Sequence, residues 1–427
     1  MKVHLKALGC RLNEAELEQW SQGFRLAGHS VVTAAPDADV VILNTCAVTQ
    51  EASAKSRRLL NRLYRDNPAA KLVVSGCYAT LQAAEVASIL GVDLVVPNAE
   101  KDQLPTKVME AFALPLMPEI ATEPGENSLF VRGRHRAFIK IQDGCRYRCT
   151  FCIVTVARGE ERSRTEASIV EEINQLTSQG VQEIVLTGVH VGGYGSDLVD
   201  SSLYSLVKRI LTETDIPRIR FASVEPWDLP EDFFALFSNS RLMPHMHLPI
   251  QSGADSVLRR MARRCKTTEF AQLVSQARAA IPEFNITTDI IVGFPGETLE
   301  EWQETVGFVE RIGFGHVHIF SYSPRAGTKA AGLASPVAEA VKKQRSQELH
   351  QVAASSQQTW LAQQVGHQVP VLWERSREQN GELIYTGYTP NYCKVITKPH
   401  HSIDLENQIT TVRLSLASGE ESVLLGD

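Results

Sequence analysis

The chain has 427 residues, 43% of them hydrophobic, and a formal net charge of −6. This length exceeds what one hydrophobic core normally serves, so we expect two or three domains. No stretch reaches the roughly 20 apolar residues of a membrane span, and the N-terminus lacks the apolar core of a secretory signal. The composition predicts a cytoplasmic protein without membrane segments, in which RNA binding would need local basic patches.

The first hundred residues alternate short apolar runs with polar, helix-opening stretches. The apolar runs are predicted as buried parallel strands at Val3–Leu8, Val40–Leu43 and Leu72–Val74. This alternation predicts a doubly wound α/β domain with a parallel sheet over residues 1–115. Residues 116–130 are predicted as a linker, because the sequence around Leu114–Asn127 contains proline and is weakly periodic.

A second strand–helix alternation covers residues 131–362. Its predicted strands are Phe138–Gln142, Glu183–Leu186, Arg218–Ala222, His245–Pro249, Thr287–Val292 and His316–Ser321. Six βα units predict a partial or complete TIM-type barrel, with its chemistry at the carboxyl ends of the strands. A helix is predicted from Pro336 to Gln364, and short β-like runs over residues 363–427 predict a small β-barrel.

Three cysteines, Cys145, Cys149 and Cys152, follow the first predicted barrel strand at the spacing CxxxCxxC. Three thiolates can ligate three irons of a 4Fe–4S cluster and leave the fourth iron open to another ligand. A structural zinc site usually has a fourth Cys or His, and none follows closely in the sequence. We predict a cluster with these three ligands as catalytic residues, with a zinc site or an incidental cysteine-rich loop as the alternatives.

Three more cysteines, Cys10, Cys46 and Cys77, are far apart in the sequence, but each comes just after a predicted strand. In a parallel sheet the carboxyl ends of the strands share one edge, so the three thiols are expected to meet there. Glycine precedes Cys10 and Cys77, which favours a tight turn at each position. We therefore predict a second cluster site, although three buried structural cysteines are the alternative.

The N-terminal cysteines lie within the motifs Gly9–Asn13, Asn44–Cys46 and Gly76–Ala79, and the motif Ala157–Arg164 follows the central triplet. With them, the sequence resembles the methylthiotransferase family of radical S-adenosylmethionine (SAM) enzymes over essentially its whole length. The resemblance implies an N-terminal domain with a second 4Fe–4S cluster, a radical SAM barrel and a C-terminal TRAM domain. It further implies two SAM molecules, one for the methyl group and one for the radical, and a low-potential electron donor such as flavodoxin or ferredoxin. We expect a monomer.

Polar and glycine residues follow several predicted barrel strands, where a barrel binds its ligands. Ordinary loop turns are the alternative for each one. The predicted SAM contacts are Thr187, Gly188, Ser223, Glu225, Gln251, Gly253, Gly293 and Phe294. His245 and His247 share one strand face, as do His316 and His318, and no carboxylate or thiolate partner is evident for them. We interpret these histidines as barrel-lining side chains.

Basic residues are concentrated beside the central cysteines, where residues 131–165 hold nine Lys or Arg and three acids. Such a rim favours a phosphate-bearing substrate. Lysine and arginine also share one face of the helix predicted after Cys46, although a solvated helix face is the alternative. The C-terminal domain has five basic and eight acidic residues, which argues against a general RNA-binding surface. The predicted RNA contacts are Lys55, Arg58, Arg62, Arg158, Arg162, Arg164, Tyr388 and Tyr392, the two tyrosines by stacking on unpaired bases.

The segments Asn44–Thr49, Asp143–Cys145 and Gly188–Gly195 resemble the family branch that modifies threonylcarbamoyladenosine in tRNA. The resemblance implies methylthiolation of carbon 2 of N6-threonylcarbamoyladenosine at position 37 of the anticodon loop. The alternatives within the family are isopentenyladenosine 37 and an aspartate of a ribosomal protein. A non-catalytic iron–sulfur protein that binds RNA or transfers electrons is the alternative from a different class.

Overall fold

The computed structural model describes the ranges 1–112, 135–379, 382–398, 404–417 and 423–426. The predicted linker at 116–130 lies outside these residues. The described part follows the predicted order of an α/β unit, a ring of βα units and a small β-barrel. Within it, no helix combines the length and apolar character needed to cross a membrane.

The N-terminal unit is a five-stranded parallel sheet with the order β2-β1-β3-β4-β5. Its strands are β1 (Lys2–Ala7), β2 (Ser30–Val32), β3 (Val40–Thr45), β4 (Lys71–Gly76) and β5 (Val92–Val96). Its helices are α1 (Arg11–Leu26), α2 (Gln50–Asp66), α3 (Cys77–Leu81), α4 (Ala83–Ala87) and α5 (Leu104–Ala111). Every residue of β3 is buried because helices cover both faces of the sheet, as its unbroken apolar run predicts.

The central unit carries strands β6 (Arg136–Lys140), β7 (Gln142–Asp143), β8 (Arg162–Ser163), β9 (Glu183–Thr187), β10 (Arg218–Phe221), β11 (His245–His247), β12 (Asn285–Val292) and β13 (His316–Ser321). Its helices are α6 (Val154–Arg158), α7 (Glu166–Ser178), α8 (Leu203–Glu213), α9 (Asp255–Arg260), α10 (Thr267–Ala280), α11 (Leu299–Ile312) and α12 (Glu339–Gln364). The six predicted strands and the predicted helix all have bounds close to the observed ones.

Six parallel strands of this unit form an incomplete ring in the order β6-β9-β10-β11-β12-β13. Two three-stranded sheets build it, and parallel bridges between Ile219 and Leu242 and between Ser223 and His247 join them. Among the described residues, no pairing joins β13 back to β6. The prediction of a TIM-type barrel is confirmed in its partial form, and the main hydrophobic core fills the space between the strands and the surrounding helices.

The C-terminal unit is a closed barrel with the order β14-β15-β16-β18-β17. Its strands are β14 (Gln368–Gln379), β15 (Glu382–Tyr388), β16 (Lys394–Thr397), β17 (Ile409–Leu416) and β18 (Leu424–Gly426). Trp373 is fully buried at its centre, in a cluster that also holds Trp360 from the end of α12. The predicted small β-barrel is thereby confirmed.

Three arginines fix this barrel to the central unit around one buried carboxylate. Glu183, the first residue of β9, is 0% exposed and lies 3.0 Å from Arg218 and 2.8 Å from Arg220. Its other oxygen accepts a hydrogen bond from Arg136. Arg218 and Arg220 also donate to the carbonyl of Thr389, at 3.0 and 2.7 Å. The C-terminal barrel therefore packs at the amino ends of the central strands, opposite the end where catalysis is expected.

We predict that Glu183→Gln destabilises the protein by about 3–5 kcal/mol, because it leaves buried arginines without their counter-charge. Burial opposes ionisation of Glu183, but attraction to Arg220, Arg136 and Arg218 outweighs burial and lowers the pKa of Glu183 to about 2. The stabilisation is therefore full above the usual pKa of 4.5 and is lost as the pH falls toward 2. Chemical denaturation at neutral pH measures the change.

Glu382→Gln is the matched control, because Glu382 pairs with Lys398 where both side chains are 59% exposed. Exposed pairs contribute little, so we expect no measurable change in its unfolding. Equal effects of the two substitutions would contradict the role of Glu183.

Candidate iron–sulfur and SAM site

The central cysteine triplet lies on one loop at the carboxyl end of the first ring strand. Cys145 follows β7, and its N–H donates to the carbonyl of Gly159 at 3.1 Å. The Cys152 N–H donates to the Cys149 carbonyl at 3.0 Å, which closes a tight turn between these two ligands. The loop is thus held at the position where barrels of this kind carry their chemistry.

The electrostatics of this loop fit a bound cation. Burial raises the pKa of the Cys145 thiol to about 12 and that of Cys152 to about 11, and neighbouring thiols add to both shifts. Such thiols remain protonated at neutral pH unless metal displaces the proton. Arg263 donates to the Cys149 sulfur at 3.7 Å and places a positive charge beside it. Three cysteines on one short loop, with an arginine beside one of them, fit an iron–sulfur cluster.

The N-terminal cysteines meet although they are distant in the sequence. Cys10, Cys46 and Cys77 closely follow the ends of β1, β3 and β4, which are neighbours in the sheet. Burial, together with the charges of Cys10 and Cys77, raises the pKa of Cys46 to about 11. The contribution of the two other cysteines reflects their closeness to Cys46. The turn before Cys10 requires Gly9, whose φ is +103° and where a Cβ would lie 2.7 Å from the Cys46 sulfur.

The N-terminal triplet faces the open end of the partial barrel. Arg325, on the loop after β13, donates to Ser53 at 3.3 Å, and the charge of Cys46 acts on its guanidinium. On the same loop, the Pro324 carbonyl accepts a hydrogen bond of 3.4 Å from Gln50. The loop after the last ring strand therefore reaches the N-terminal domain beside Cys46. Arg325 belongs to none of the sequence motifs described above, so its place in the site emerges only from the fold.

Among the predicted SAM contacts, Glu225 has the clearest unmet requirement for a ligand. One of its carboxylate oxygens is buried without a hydrogen-bond partner in the described structure, and His190 lies 3.8 Å from it. Burial raises the pKa of Glu225, and its charge raises that of Cys145, so the carboxyl lies near the cluster ligands. An ammonium or hydroxyl group of SAM fits such an oxygen. Ser223 is exposed nearby, and Gln251 has a positive φ of 81° at the end of the next strand.

Thr187 and Gly188 instead support the loop that follows β9. Thr187 is buried, and its carbonyl accepts from Ile141 at 2.9 Å. A Cβ on Gly188 would lie 3.0 Å from the Gln142 carbonyl, so this glycine allows the loop after β9 to approach β7. The pair holds the loop that leads to His190.

For three other residues packing accounts for the residue type, and the SAM contact stays a prediction. The Phe294 side chain is fully buried in a small core. The Gly253 N–H donates to Thr305 at 3.2 Å, and a Cβ there would lie 2.6 Å from the Cβ of Phe308 on α11. Gly293 similarly faces Lys342 on α12, and its N–H donates to Glu297 at 2.9 Å.

The polar cluster around His190 was not predicted from the sequence. Its two ring nitrogens contact the carboxylates of Glu161 and Asp228, the latter at 2.6 Å. The ligand atoms of His190, Glu161 and Cys145 all lie within 4.8 Å of one another. A histidine and a carboxylate thus adjoin the cluster loop from positions remote in the sequence, but both ring nitrogens of His190 are already engaged.

His247 lines the barrel as interpreted from the sequence, but the statement that it has no carboxylate partner is wrong. Its Nε2 lies 3.1 Å from Asp289, and its Nδ1 lies 2.9 Å from Thr287. The ligand atoms of His247, Asp289 and His318 lie within 4.8 Å of one another. Neighbours such as Met246 and Val317 face the helices, so these three side chains face the inside of the ring, as expected from strand alternation.

Four predicted RNA contacts are engaged elsewhere. Arg158 is 2% exposed and binds Glu16 and Asp143. Arg164 contacts Glu172 and donates to the Lys140 carbonyl. Tyr392 stacks on Tyr388, with ring centroids 4.8 Å apart, and on His245 at the amino ends of the strands. These positions exclude Arg158 and the two tyrosines from an RNA surface near the cysteines.

The remaining predicted contacts are exposed side chains of α2 and β8. Lys55 and Arg62 have 58% and 71% of their side chains exposed on α2, where they form only exposed pairs with Glu51 and Asp66. Arg58 is exposed on the same helix, and Arg162 is 47% exposed. The predicted helical face exists as a basic surface, which we call the α2 basic face: Lys55, Arg58, Arg62 and Arg65.

Comparison with known proteins gives the family. Residues 139–309 match the Radical SAM superfamily, and residues 2–97 match the Uncharacterized protein family UPF0004. Threonylcarbamoyladenosine tRNA methylthiotransferase MtaB of Bacillus subtilis (strain 168) is 36% identical over 409 residues, which cover 93% of this chain and 90% of that protein. The chain belongs to the radical SAM methylthiotransferase family.

Other members of this family have a similar degree of identity. MtaB of Thermotoga maritima is 37% identical over 92% of this chain and 90% of its own length. The tRNA-2-methylthio-N(6)-dimethylallyladenosine synthase of Oceanobacillus iheyensis is 35% identical over 91% of this chain and 77% of its own length. The radical SAM methyltransferase TsrM of Kitasatospora setae shares the fold, with a TM-score of 0.57 and 16% identity over 77% of each chain.

We predict that Gly9→Ala lowers the iron content of the anaerobically reconstituted methylthiotransferase to about half, because the added Cβ displaces the Cys46 sulfur from the predicted second cluster site. Gly180→Ala is the matched control, since Gly180 also has a positive φ of 88° but has open space around it. Iron and sulfide analysis measures both. Full iron content in Gly9→Ala would contradict the N-terminal site.

Proposed function

We propose that this methylthiotransferase attaches a methylthio group to carbon 2 of N6-threonylcarbamoyladenosine 37 in the anticodon loop of tRNA. The observation that carries the proposal is the meeting of two cysteine triplets at the open end of a radical SAM barrel. One triplet would account for radical chemistry alone, whereas the reaction also needs a source of sulfur. The MtaB relatives at 36% and 37% identity are named for this substrate.

The two cluster sites have distinct proposed roles. A 4Fe–4S cluster on Cys145, Cys149 and Cys152 supplies, with bound SAM, the radical needed to activate an aromatic C–H bond. Glu225, with its unpaired buried oxygen, holds the amino or ribose group of SAM beside Cys145, and Ser223 and Gln251 flank it. We propose that Cys10, Cys46 and Cys77 hold the second cluster, which carries the sulfur.

The inner face of the partial barrel would receive the target base. His247, Asp289 and His318 offer hydrogen-bonding groups there, at the level of the SAM-binding strand ends, because His247 pairs with Ser223 across the strand bridge. A base in a loop can leave its stack and enter such a site at modest cost. Burial and the charge of His247 keep the pKa of His318 below its usual value, so His318 is neutral at physiological pH.

The α2 basic face and Arg162 would contact tRNA phosphates, since both are exposed and positively charged. Each phosphate contact releases counterions, so affinity for tRNA would fall steeply with added salt. The C-terminal barrel packs at the amino ends of the ring strands, away from the cysteine triplets, and would contact a more distant part of the tRNA. We further expect a low-potential electron donor such as flavodoxin or ferredoxin, a monomeric chain and a cytoplasmic location.

Dimethylallyladenosine 37 is the second candidate substrate. It is favoured by one observation, the 35% identity to a tRNA-2-methylthio-N(6)-dimethylallyladenosine synthase over 91% of this chain. The polar inner face formed by His247, Asp289 and His318 favours the threonylcarbamoyl group instead, because an apolar dimethylallyl group gains nothing from it.

We predict that cells lacking this protein lose 2-methylthio-N6-threonylcarbamoyladenosine from their tRNA and accumulate the nucleoside without the methylthio group. Mass spectrometry of digested tRNA measures both. Loss of the methylthiolated dimethylallyladenosine instead would establish the second candidate. Unchanged tRNA would contradict both tRNA substrates and point to a protein substrate.

Complementation of those cells separates the two cluster sites. Cys145→Ala is expected to abolish SAM cleavage and product, whereas Cys46→Ala is expected to retain SAM cleavage and lose only the methylthiolated nucleoside. Cys265→Ala is the matched control, because Cys265 is a buried cysteine outside both triplets, and it is expected to restore the nucleoside. Full product from Cys46→Ala would overturn the role of the second site.

A further inference from the structure

Helix α6 continues the chain from the central cysteine triplet and packs against the N-terminal domain beside the other triplet. It begins at Val154, two residues after Cys152, and ends at Arg158. With a rise of about 1.5 Å per residue, a helix of this length carries the chain only a short distance. Its last residues pack into the N-terminal domain, where Ala157 joins the core that contains Cys77. The radical SAM domain therefore extends into the second cysteine site.

Two asparagines connect this helix to the N-terminal cysteines. The Asn98 amide donates to the Ala157 carbonyl at 2.8 Å, and the same nitrogen donates to the Cys77 sulfur at 3.7 Å. Arg158 donates to the Asn13 side-chain oxygen at 2.9 Å, and this oxygen lies 3.8 Å from the Cys10 sulfur. Both ends of the cysteine triplet are thus in contact with α6 through one intervening side chain.

Arg158 also stands at the centre of a buried ion network. Its guanidinium donates to Glu16 at 2.8 Å and to Asp143 at 2.9 Å. Lys101 lies 2.6 Å from Glu16, and Lys140 lies 3.1 Å from Asp143. Each of these five side chains is at most 5% exposed. Lys140 also lies 2.9 Å from the exposed Asp102, so three cations face three carboxylates. Arg158 is the cation of this network that also contacts Asn13 beside Cys10.

Stability alone does not account for this network, because the cost of desolvation offsets most of the attraction in a buried ion pair. A hydrophobic contact of similar volume would join the two domains at least as well. The network instead places the Arg158 guanidinium one side chain away from Cys10, through Asn13. There its charge would offset part of the negative charge that three cysteine thiolates bring.

We propose that Arg158 is a positioning residue that holds a positive charge beside Cys10 and Cys77 and thereby raises the reduction potential of the cluster bound by the N-terminal triplet. The inference rests on the proposed function, since it requires that second cluster. A nearby cation favours the reduced, more negative state of a cluster, because charge and hydrogen bonding around the cysteines set its potential. Through Arg158, the radical SAM domain would tune the sulfur-carrying site.

The test compares Arg158→Gln and Arg158→Lys with the wild type in fully reconstituted protein. Redox titration followed by electron paramagnetic resonance gives the midpoint potential of each cluster. Arg158→Gln is expected to shift the midpoint potential of the N-terminal cluster to a more negative value, and to shift that of the radical SAM cluster by less. Arg158→Lys retains the charge, so its N-terminal cluster is expected to have a midpoint potential close to that of the wild type.

Arg148→Gln is the matched control. Arg148 precedes Cys149 on the same cysteine-rich segment, but it is 60% exposed and pairs with the exposed Glu160. It is expected to leave the N-terminal potential unchanged. The inference is overturned if Arg158→Gln retains both clusters at an unchanged potential, or if Arg158→Lys shifts the potential as far as Arg158→Gln.

Iron content, measured first, distinguishes failure of this inference from failure of the proposed function. A wild-type protein that takes up only about four irons has no second cluster, which overturns the proposed function and this inference together. About eight irons in the wild type and in the variants, with unchanged potentials, overturns the role of Arg158 alone.

Discussion

Parallel strands place all their carboxyl ends at one edge, and the arrangement of this enzyme depends on that constraint. It is met twice, once in the N-terminal sheet and once in the incomplete ring. In the first, the neighbouring strands β1, β3 and β4 bring Cys10, Cys46 and Cys77 together. In the second, the loop after β6 and β7 carries the central triplet. Helix α6 and the loop after β13 join the two edges, so we expect both sets of thiols to open onto one cleft.

Buried charges hold the N-terminal domain at the carboxyl end of the ring and the C-terminal barrel at its amino end. At the carboxyl end, Arg158 and its partners Glu16 and Asp143 join the N-terminal domain to the cluster loop. At the amino end, Glu183 and three arginines fix the C-terminal barrel. The cysteine triplets therefore lie at one end of the ring, and the C-terminal barrel lies at the other.

The sequence predicted whatever depends on local pattern. Buried apolar strands, the CxxxCxxC spacing and the position of each N-terminal cysteine after a strand are local features, and the structure has the predicted fold. Strands β2 and β5 were not predicted, because β2 has only three residues and the apolar run of β5 is interrupted by Asp93. Gly253 and Gly293 have a packing role against helices that the sequence did not reveal.

Features that depend on long-range contact could not be predicted. In the sequence, Arg158 is one more residue of a basic rim, and only its burial between Glu16 and Asp143, 142 and 15 residues away, shows its structural place. Tyr392 likewise resembles a base-stacking residue until the docking of the C-terminal barrel places it against His245. Glu225 was predicted from its strand end, but its unpaired oxygen could be found only in the structure.

The most direct test of the opposed cluster sites is pulsed electron paramagnetic resonance of the fully reduced protein. If both triplets hold clusters at one cleft, their spins are close enough for a strong dipolar interaction. We predict that this interaction is present in the wild type and absent from Cys46→Ala and Cys145→Ala, each of which retains one cluster. Two clusters without magnetic interaction in the wild type would contradict the placement of both cluster sites at one cleft.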